Sequence, residues 1–233
     1  MVVDSIVALL TLISLEVILG IDNIIFISIL ADKLPENQRA RLRYWGIGLA
    51  TLIRLLLLLV ISWILKLDQV LFSVAQFDFT GKKIILALGG LFLIYKSVKE
   101  IYHKTEGSGE NLQAKSDFKS LLVQILILDL VFSVDSIITA VGMTDTLWIM
   151  YVSVIVTVII MVIASRPISL FIYRHPSFKI LALCFLIVIG VALLAEGFGL
   201  LIPKGYIYFS MAFAFFVDLM QMRFAGATKE KLN

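Results

Sequence analysis

Long apolar runs separated by short charged stretches set the pattern of this chain. Seven runs stand out: Ser5 to Leu30, Tyr44 to Leu65, Lys83 to Ile101, Phe118 to Val141, Leu147 to Tyr173, Phe178 to Ile202 and Tyr206 to Met222. As a helix, each is long enough to cross a hydrocarbon core about 30 Å thick. The pattern therefore predicts an all-α membrane protein with seven transmembrane helices. Composition agrees, with 61% hydrophobic residues, 16% charged residues and a mean hydropathy of +1.03. Soluble domains are about half apolar and a quarter charged. The lipid bilayer is thus the first partner the sequence implies.

Charge gives the expected orientation. The connections after the first, third and fifth spans and the tail after the seventh hold most of the 20 basic residues, among them Lys33, Arg39, Arg41, Arg43, Lys104, Arg174 and Lys179. The opposite side holds only Lys66, Lys82, Lys83 and Lys204. The positive-inside rule then puts the N-terminus outside and the C-terminus in the cytoplasm. The formal net charge of +3 follows from this topology and implies no nucleic-acid partner. The start Met1-Val2-Val3-Asp4 has no basic region of the kind that precedes a cleaved signal, so the first run reads as a retained span with Asp4 as its cap. The single cysteine, Cys184, excludes an intrachain disulfide or thiolate cluster.

Two of the apolar runs carry the same acidic signature. Glu16-Val17-Ile18-Leu19-Gly20-Ile21-Asp22-Asn23 is echoed by Asp129-Leu130-Val131-Phe132-Ser133-Val134-Asp135-Ser136, so that Glu16 matches Asp129, Asp22 matches Asp135 and Asn23 matches Ser136. A carboxylate in hydrocarbon costs at least about 2.5 kcal/mol, and acids at membrane depth mark ion paths by default. Three spans precede the second motif, an odd number, so the halves are expected to sit in the membrane with opposite orientation. Two inverted three-helix repeats plus one C-terminal helix follow from that count. The expected divisions are repeat one over 1–102, a polar cytoplasmic linker over 103–117, repeat two over 118–203 and an additional helix over 205–223. Arg54 and Arg166 fall one residue out of register in the second and fifth spans and read as charge-balancing residues.

The ligand types narrow the chemistry. Glu16, Asp22, Asn23, Asp129, Asp135 and Ser136 offer only oxygen, which suits Mn²⁺, Mg²⁺ or Ca²⁺ rather than Cu⁺ or Zn²⁺. In an unbroken helix Glu16 shares a face with Asn23 and Asp129 with Ser136, while Asp22 and Asp135 point about 240° away. In antiparallel repeats Glu16 is expected at the depth of Asp135 and Asp22 at the depth of Asp129, so either two such layers or one compact cage, made by irregular winding near Gly20 or Ser133, is consistent with the spacing. Four carboxylates with Arg54 leave a formal −3, and like charges about 4 Å apart repel by about 4 kcal/mol at an effective dielectric of 20. At least one carboxylate is expected to keep its proton until a metal arrives, so protons join the metal ion as partners.

Other residues read more plainly. His103 and His175 are expected as exposed loop residues, Met211, Met220 and Met222 as packing, Ser116, Asp117 and Thr80 as helix caps, and Pro35 and Pro203 as turn residues. Asp218, Glu196 and Lys96 are left without assigned roles.

The two acidic segments, together with Ala164-Ser165-Arg166-Pro167-Ile168 and Leu194-Ala195-Glu196-Gly197 through Tyr208, resemble the hallmark segments of the TerC family of integral membrane proteins. That resemblance covers nearly the whole chain and implies seven helices, a bacterial inner (cytoplasmic) membrane and, in several members, manganese export; others are linked to tellurite resistance. The resulting expectation is a proton-coupled divalent cation exporter carrying Mn²⁺, with no permanently bound cofactor and no enzymatic activity. The alternative is a non-transporting membrane protein of stress resistance or membrane protein assembly, whose acids only hold helices together. An aspartyl intramembrane protease is excluded because the Gly-x-Gly-Asp pattern is absent. A retinal-type receptor is excluded because the seventh span lacks a Schiff-base lysine.

Overall fold

The computed structural model describes residues 2–60, 69–74, 77–106, 117–144, 146–200 and 202–230. Among the described residues seven helices lie at the predicted spans: α1 (Val2–Ala31), α2 (Glu36–Leu59), α3 (Gly81–Thr105), α4 (Phe118–Met143), α5 (Leu147–Arg174), α6 (Pro176–Gly197) and α7 (Lys204–Glu230). Among the described residues, six of them, all but α3, are long and apolar enough to cross a membrane. Helix α3 is of similar length but carries Lys82, Lys83, Lys96, Lys99 and Glu100 near its ends. A two-stranded antiparallel hairpin, β1 (Val70–Val74) and β2 (Phe77–Thr80), precedes α3. The apolar pattern gave no sign of it, and its Phe72 and Phe79 rings stack at 5.0 Å.

Several boundaries differ from the pattern. Helix α2 begins at Glu36 rather than Tyr44, because the charged turn after Pro35 continues the helix beyond its apolar stretch. The far end of the expected second span, 61–65, lies outside the described residues, as do most of the linker and the side chains of Asp4 and Ser116. Thr80 caps α3 by accepting a 3.2 Å hydrogen bond from the Lys83 amide. Asp117 holds the N-cap position of α4 without a side-chain cap bond. His175 is a half-buried joint between α5 and α6, its ring 4.5 Å from Phe171, rather than an exposed loop residue.

The helices pair across the two halves. Helix α3 packs along α6, α1 along α5 and α2 along α4. Ion pairs fix which ends meet: Lys33 after α1 reaches Glu100 of α3, and Lys179 of α6 reaches Asp32. At the opposite end Lys82 of α3 pairs with Glu196 of α6 at 3.4 Å. The loop charges therefore gather at one end of the bundle.

At the α3–α6 crossing Gly90 meets Gly190. A Cβ on Gly90 would lie 2.5 Å from the Gly190 carbonyl oxygen and 2.8 Å from the Leu194 amide nitrogen. Both neighbours are backbone and cannot turn aside. Gly90→Val should therefore push the helices apart and destabilise the fold by about 1–3 kcal/mol, as overpacking does; thermal unfolding in detergent would show it as a lowered Tm.

Two apolar clusters fill the interior, and they are separated along the helices. One contains Phe26, Leu30, Leu42, Ile47, Leu121 and Leu128; the other contains Leu12, Leu58, Ile137 and Ala140. The α1 motif, Arg54 and Asp135 fall between them in sequence on α1, α2 and α4, while Asp129 is flanked by Leu128 and Val131 of the first cluster. The fold thus sets a polar layer against two apolar clusters.

Candidate ion site in the bundle interior

Every polar member of the layer is buried: Glu16, Asp22, Asn23, Arg54, Asp129, Ser133, Asp135 and Ser136. Neither α1 nor α4 is interrupted, so the irregular winding considered at Gly20 and Ser133 is absent. The acids divide into two groups, and among the described residues no three of them converge on one point. The arrangement is not the compact cage, and it does not follow the expected two layers either, since Glu16 shares Arg54 with Asp129 rather than lying with Asp135.

Arg54 organises the first group. Helices α2 and α4 run parallel with a constant offset, since Gly46 lies against Ile125 and, eight residues on, Arg54 meets Ser133. That register carries the guanidinium into the layer from the side. It pairs with the Glu16 carboxylate, donates to Asp129 Oδ1 at 3.3 Å, and donates from Nε to Ser133 Oγ at 3.2 Å. The Ser133 hydroxyl in turn donates to Asp129 Oδ2 at 3.1 Å, and the Asn23 amide donates to Asp129 Oδ1 at 3.2 Å. One cation spread over a planar fork satisfies two carboxylates, which a lysine could not do with the same geometry.

The second group is less satisfied. Asp135 is held by Lys204, from the first turn of α7, whose side chain is 36% exposed. Asp22 is 6% exposed and makes neither a hydrogen bond nor an ion pair among the described residues. Tyr208, one turn along α7 from Lys204, lies within electrostatic reach of both Asp22 and Asp135. The repeat-related aspartates thus act on the same side chain. A buried carboxylate without a partner is rare, and Lys204, the cation paired with Asp135 among the described residues, is itself partly exposed.

Of the expected residues, Glu16, Asn23, Asp129 and Arg54 are brought into direct contact, and Asp22 and Asp135 both act on Tyr208. Ser136 turns its hydroxyl back to the Ser133 carbonyl at 3.2 Å. Arg166 does not reach the acids: it is exposed on α5, where its charge acts on Arg43, and Ser165 faces inward in its place. The one-residue slip seen between the repeats is enough to turn it outward. Glu196 pairs with Lys82 rather than with Lys96, which lies over the Phe92 ring at 5.7 Å. Asp218 Oδ2 is buried without a partner among the described residues. Ser133, Lys204 and Tyr208 escaped the sequence reading. Ser133 alone carried a signal, standing four residues after Asp129 on the same helix face.

With this geometry in hand, comparison with known proteins places the chain. It is 47% identical over 216 residues to the UPF0053 inner membrane protein YgdQ of Escherichia coli, covering 92% of this chain and 91% of that one. It is 46% identical over 220 residues to a UPF0053 protein of Haemophilus influenzae, covering 93% of each. To the UPF0053 protein YegH of Escherichia coli it is 46% identical over 215 residues, 91% of this chain but 41% of YegH, so it spans about two fifths of that relative. No solved structure matches it. The profile described as "Integral membrane protein TerC family" matches residues 1–233, and the chain belongs to that family.

Proposed function

We propose that this protein is a divalent cation transporter of the bacterial inner membrane, exporting Mn²⁺ in exchange for protons and catalysing no chemical transformation. The observation that carries this reading is Asp22, a buried carboxylate on a membrane-length helix with no hydrogen bond or ion pair among the described residues, which acts on Tyr208 together with Asp135, whose partner Lys204 is partly exposed. A site left open to a cation is what transport requires and what structural cement avoids. Glu16 and Asp129, by contrast, are occupied by Arg54 and set the field of the site rather than its open coordination. The inner-membrane location draws on the name of the relative YgdQ, and the positive-inside rule makes the basic end cytoplasmic.

Charge balance supports a two-proton exchange. Against the four carboxylates stand Arg54 and Lys204, which leaves a formal −2 that one divalent ion or two protons would neutralise. A mid-depth site between halves of opposite orientation also fits an inverted-repeat transporter. The crossed pairing of α1 with α5 and α2 with α4, and the meeting of Gly90 with Gly190, are what a two-fold axis in the membrane plane would produce.

Purified protein in liposomes loaded with a Mn²⁺-quenched fluorophore tests the reading. Quenching should be faster than in protein-free liposomes and should move protons the opposite way; equal rates would remove transport. Lys204 gives a second check, because it competes with the metal for Asp135. Lys204→Gln should tighten Mn²⁺ binding, by about tenfold if about 1.4 kcal/mol of competition is lost, as read by calorimetry. An unchanged affinity would detach Lys204 from the site.

A further inference from the structure

Helices α1 and α5 also run parallel at a constant offset. Gly20 lies against Met161, and eight residues on, the Ser28 and Ser169 hydroxyls hydrogen-bond at 2.5 Å. Four-residue steps along α5 from that bond give Ser169, Ser165, Met161, Thr157 and Ser153, all buried. The same register sets Glu16 level with Thr157. From mid-depth to the basic end the α5 side of this seam therefore presents hydroxyls, interrupted at Met161 and faced by Gly20, Ile24 and Ser28 of α1. The counterpart α2–α4 seam is apolar over its corresponding stretch beyond Arg54, where Leu58 and Ile137 lie.

Hydroxyls in a membrane interface can simply join helices, but two further observations point to a ligand. The Thr157 hydroxyl, fully buried on this stripe, has no hydrogen-bond partner among the described residues. At its other end the stripe opens into a cavity of about 250 Å³ lined by Ser28, Ser169, Asp32, Glu36, Arg39, Arg43 and Lys179. At the cavity Asp32 is held by Lys179 and by Arg39 at 3.3 Å, while on the far side of the layer Asp135 is held by Lys204. Each end of the line is a carboxylate paired with basic side chains. Pro167 lies within the stripe and removes the backbone hydrogen bond to Ile163, a weak point at which α5 can bend.

We propose that the α1–α5 seam is the cytoplasmic half of the ion path, admitting a partly dehydrated divalent cation from the Asp32 cavity past Ser169 and Ser165 to Thr157, and that the Ser28–Ser169 bond and the Met161–Gly20 contact hold it shut here. Hydroxyl oxygens replace lost water ligands for a hard cation. The proposal rests on the transport reading above and adds the route.

Cysteine accessibility tests it. In a Cys184→Ala background, Ser165→Cys, Ser169→Cys and Ile163→Cys are treated in inside-out vesicles with water-soluble thiol reagents, one cationic and one anionic. Ile163 is 71% exposed on the lipid side and serves as the dry control, since only a hydrated thiol ionises and reacts. Both serine positions should react with either reagent at least about tenfold faster than Ile163→Cys. Adding Ser28→Ala should speed the reaction at Ser165→Cys, and Mn²⁺ should slow it. If Ser165→Cys stays as inert as Ile163→Cys even with Ser28→Ala, while liposome flux persists, this route is overturned and transport stands. A reactive seam without Mn²⁺ protection or flux would instead leave a hydrated seam and overturn the transport of Mn²⁺ through it.

Discussion

Asp22→Asn and Asp135→Asn are each expected to abolish Mn²⁺ binding and flux while the protein still inserts and folds. Asparagine keeps the size and one acceptor oxygen but removes the charge that a divalent ion must meet. Losing an outer-shell partner already lowers metal affinity about 10–100-fold, and losing an anionic ligand should exceed that. Stability should move the other way for Asp22→Asn, because a neutral amide is easier to bury than a carboxylate without a partner among the described residues. Asp135→Asn frees Lys204, which can turn to water, so its Tm should change little. Calorimetric Mn²⁺ titration and thermal melting of the same preparations give both readouts. Two variants that bind like the wild type would refute coordination by this pair and return attention to Glu16 and Asp129.

Arg54→Gln should produce the largest loss of stability. It leaves Glu16 and Asp129 buried, close together and without their shared cation; breaking a buried pair in this way costs about 3–5 kcal/mol. Adding Glu16→Gln should restore part of the stability by removing one of the stranded charges. Removing a fixed positive charge beside the acids should also raise Mn²⁺ affinity. Melting curves and Mn²⁺ titrations of both proteins decide the point. An unchanged affinity would mean that Arg54 stabilises the bundle without tuning the site.

The proposed route and the proposed site make one physical scheme. Basic side chains hold Asp32 and Asp135, and the hydroxyls of α5 run through the polar layer toward Asp32. In the proposed exchange, a layer with a formal −2 is unfavourable empty and unprotonated, and one divalent ion or two protons would neutralise it.

The sequence by itself determined the fold class, the helix positions and the identity of the acids. Hydrocarbon imposes a minimum length on every crossing and a heavy penalty on every charge, so spans and misplaced acids stand out without any knowledge of packing. The midspan position of Arg54 was legible for the same reason. Tertiary structure alone decided how the charges pair. Arg54 reaches Glu16 and Asp129 through the α2–α4 register, and Arg166 is turned outward because a single residue rotates a side chain by about 100°. Lys204 belongs to Asp135, 69 positions away in the chain, and no local pattern announces a contact at that distance. The α1–α5 seam is of the same kind: its serines recur every four residues in the sequence, but only the helix beside them makes that recurrence a path.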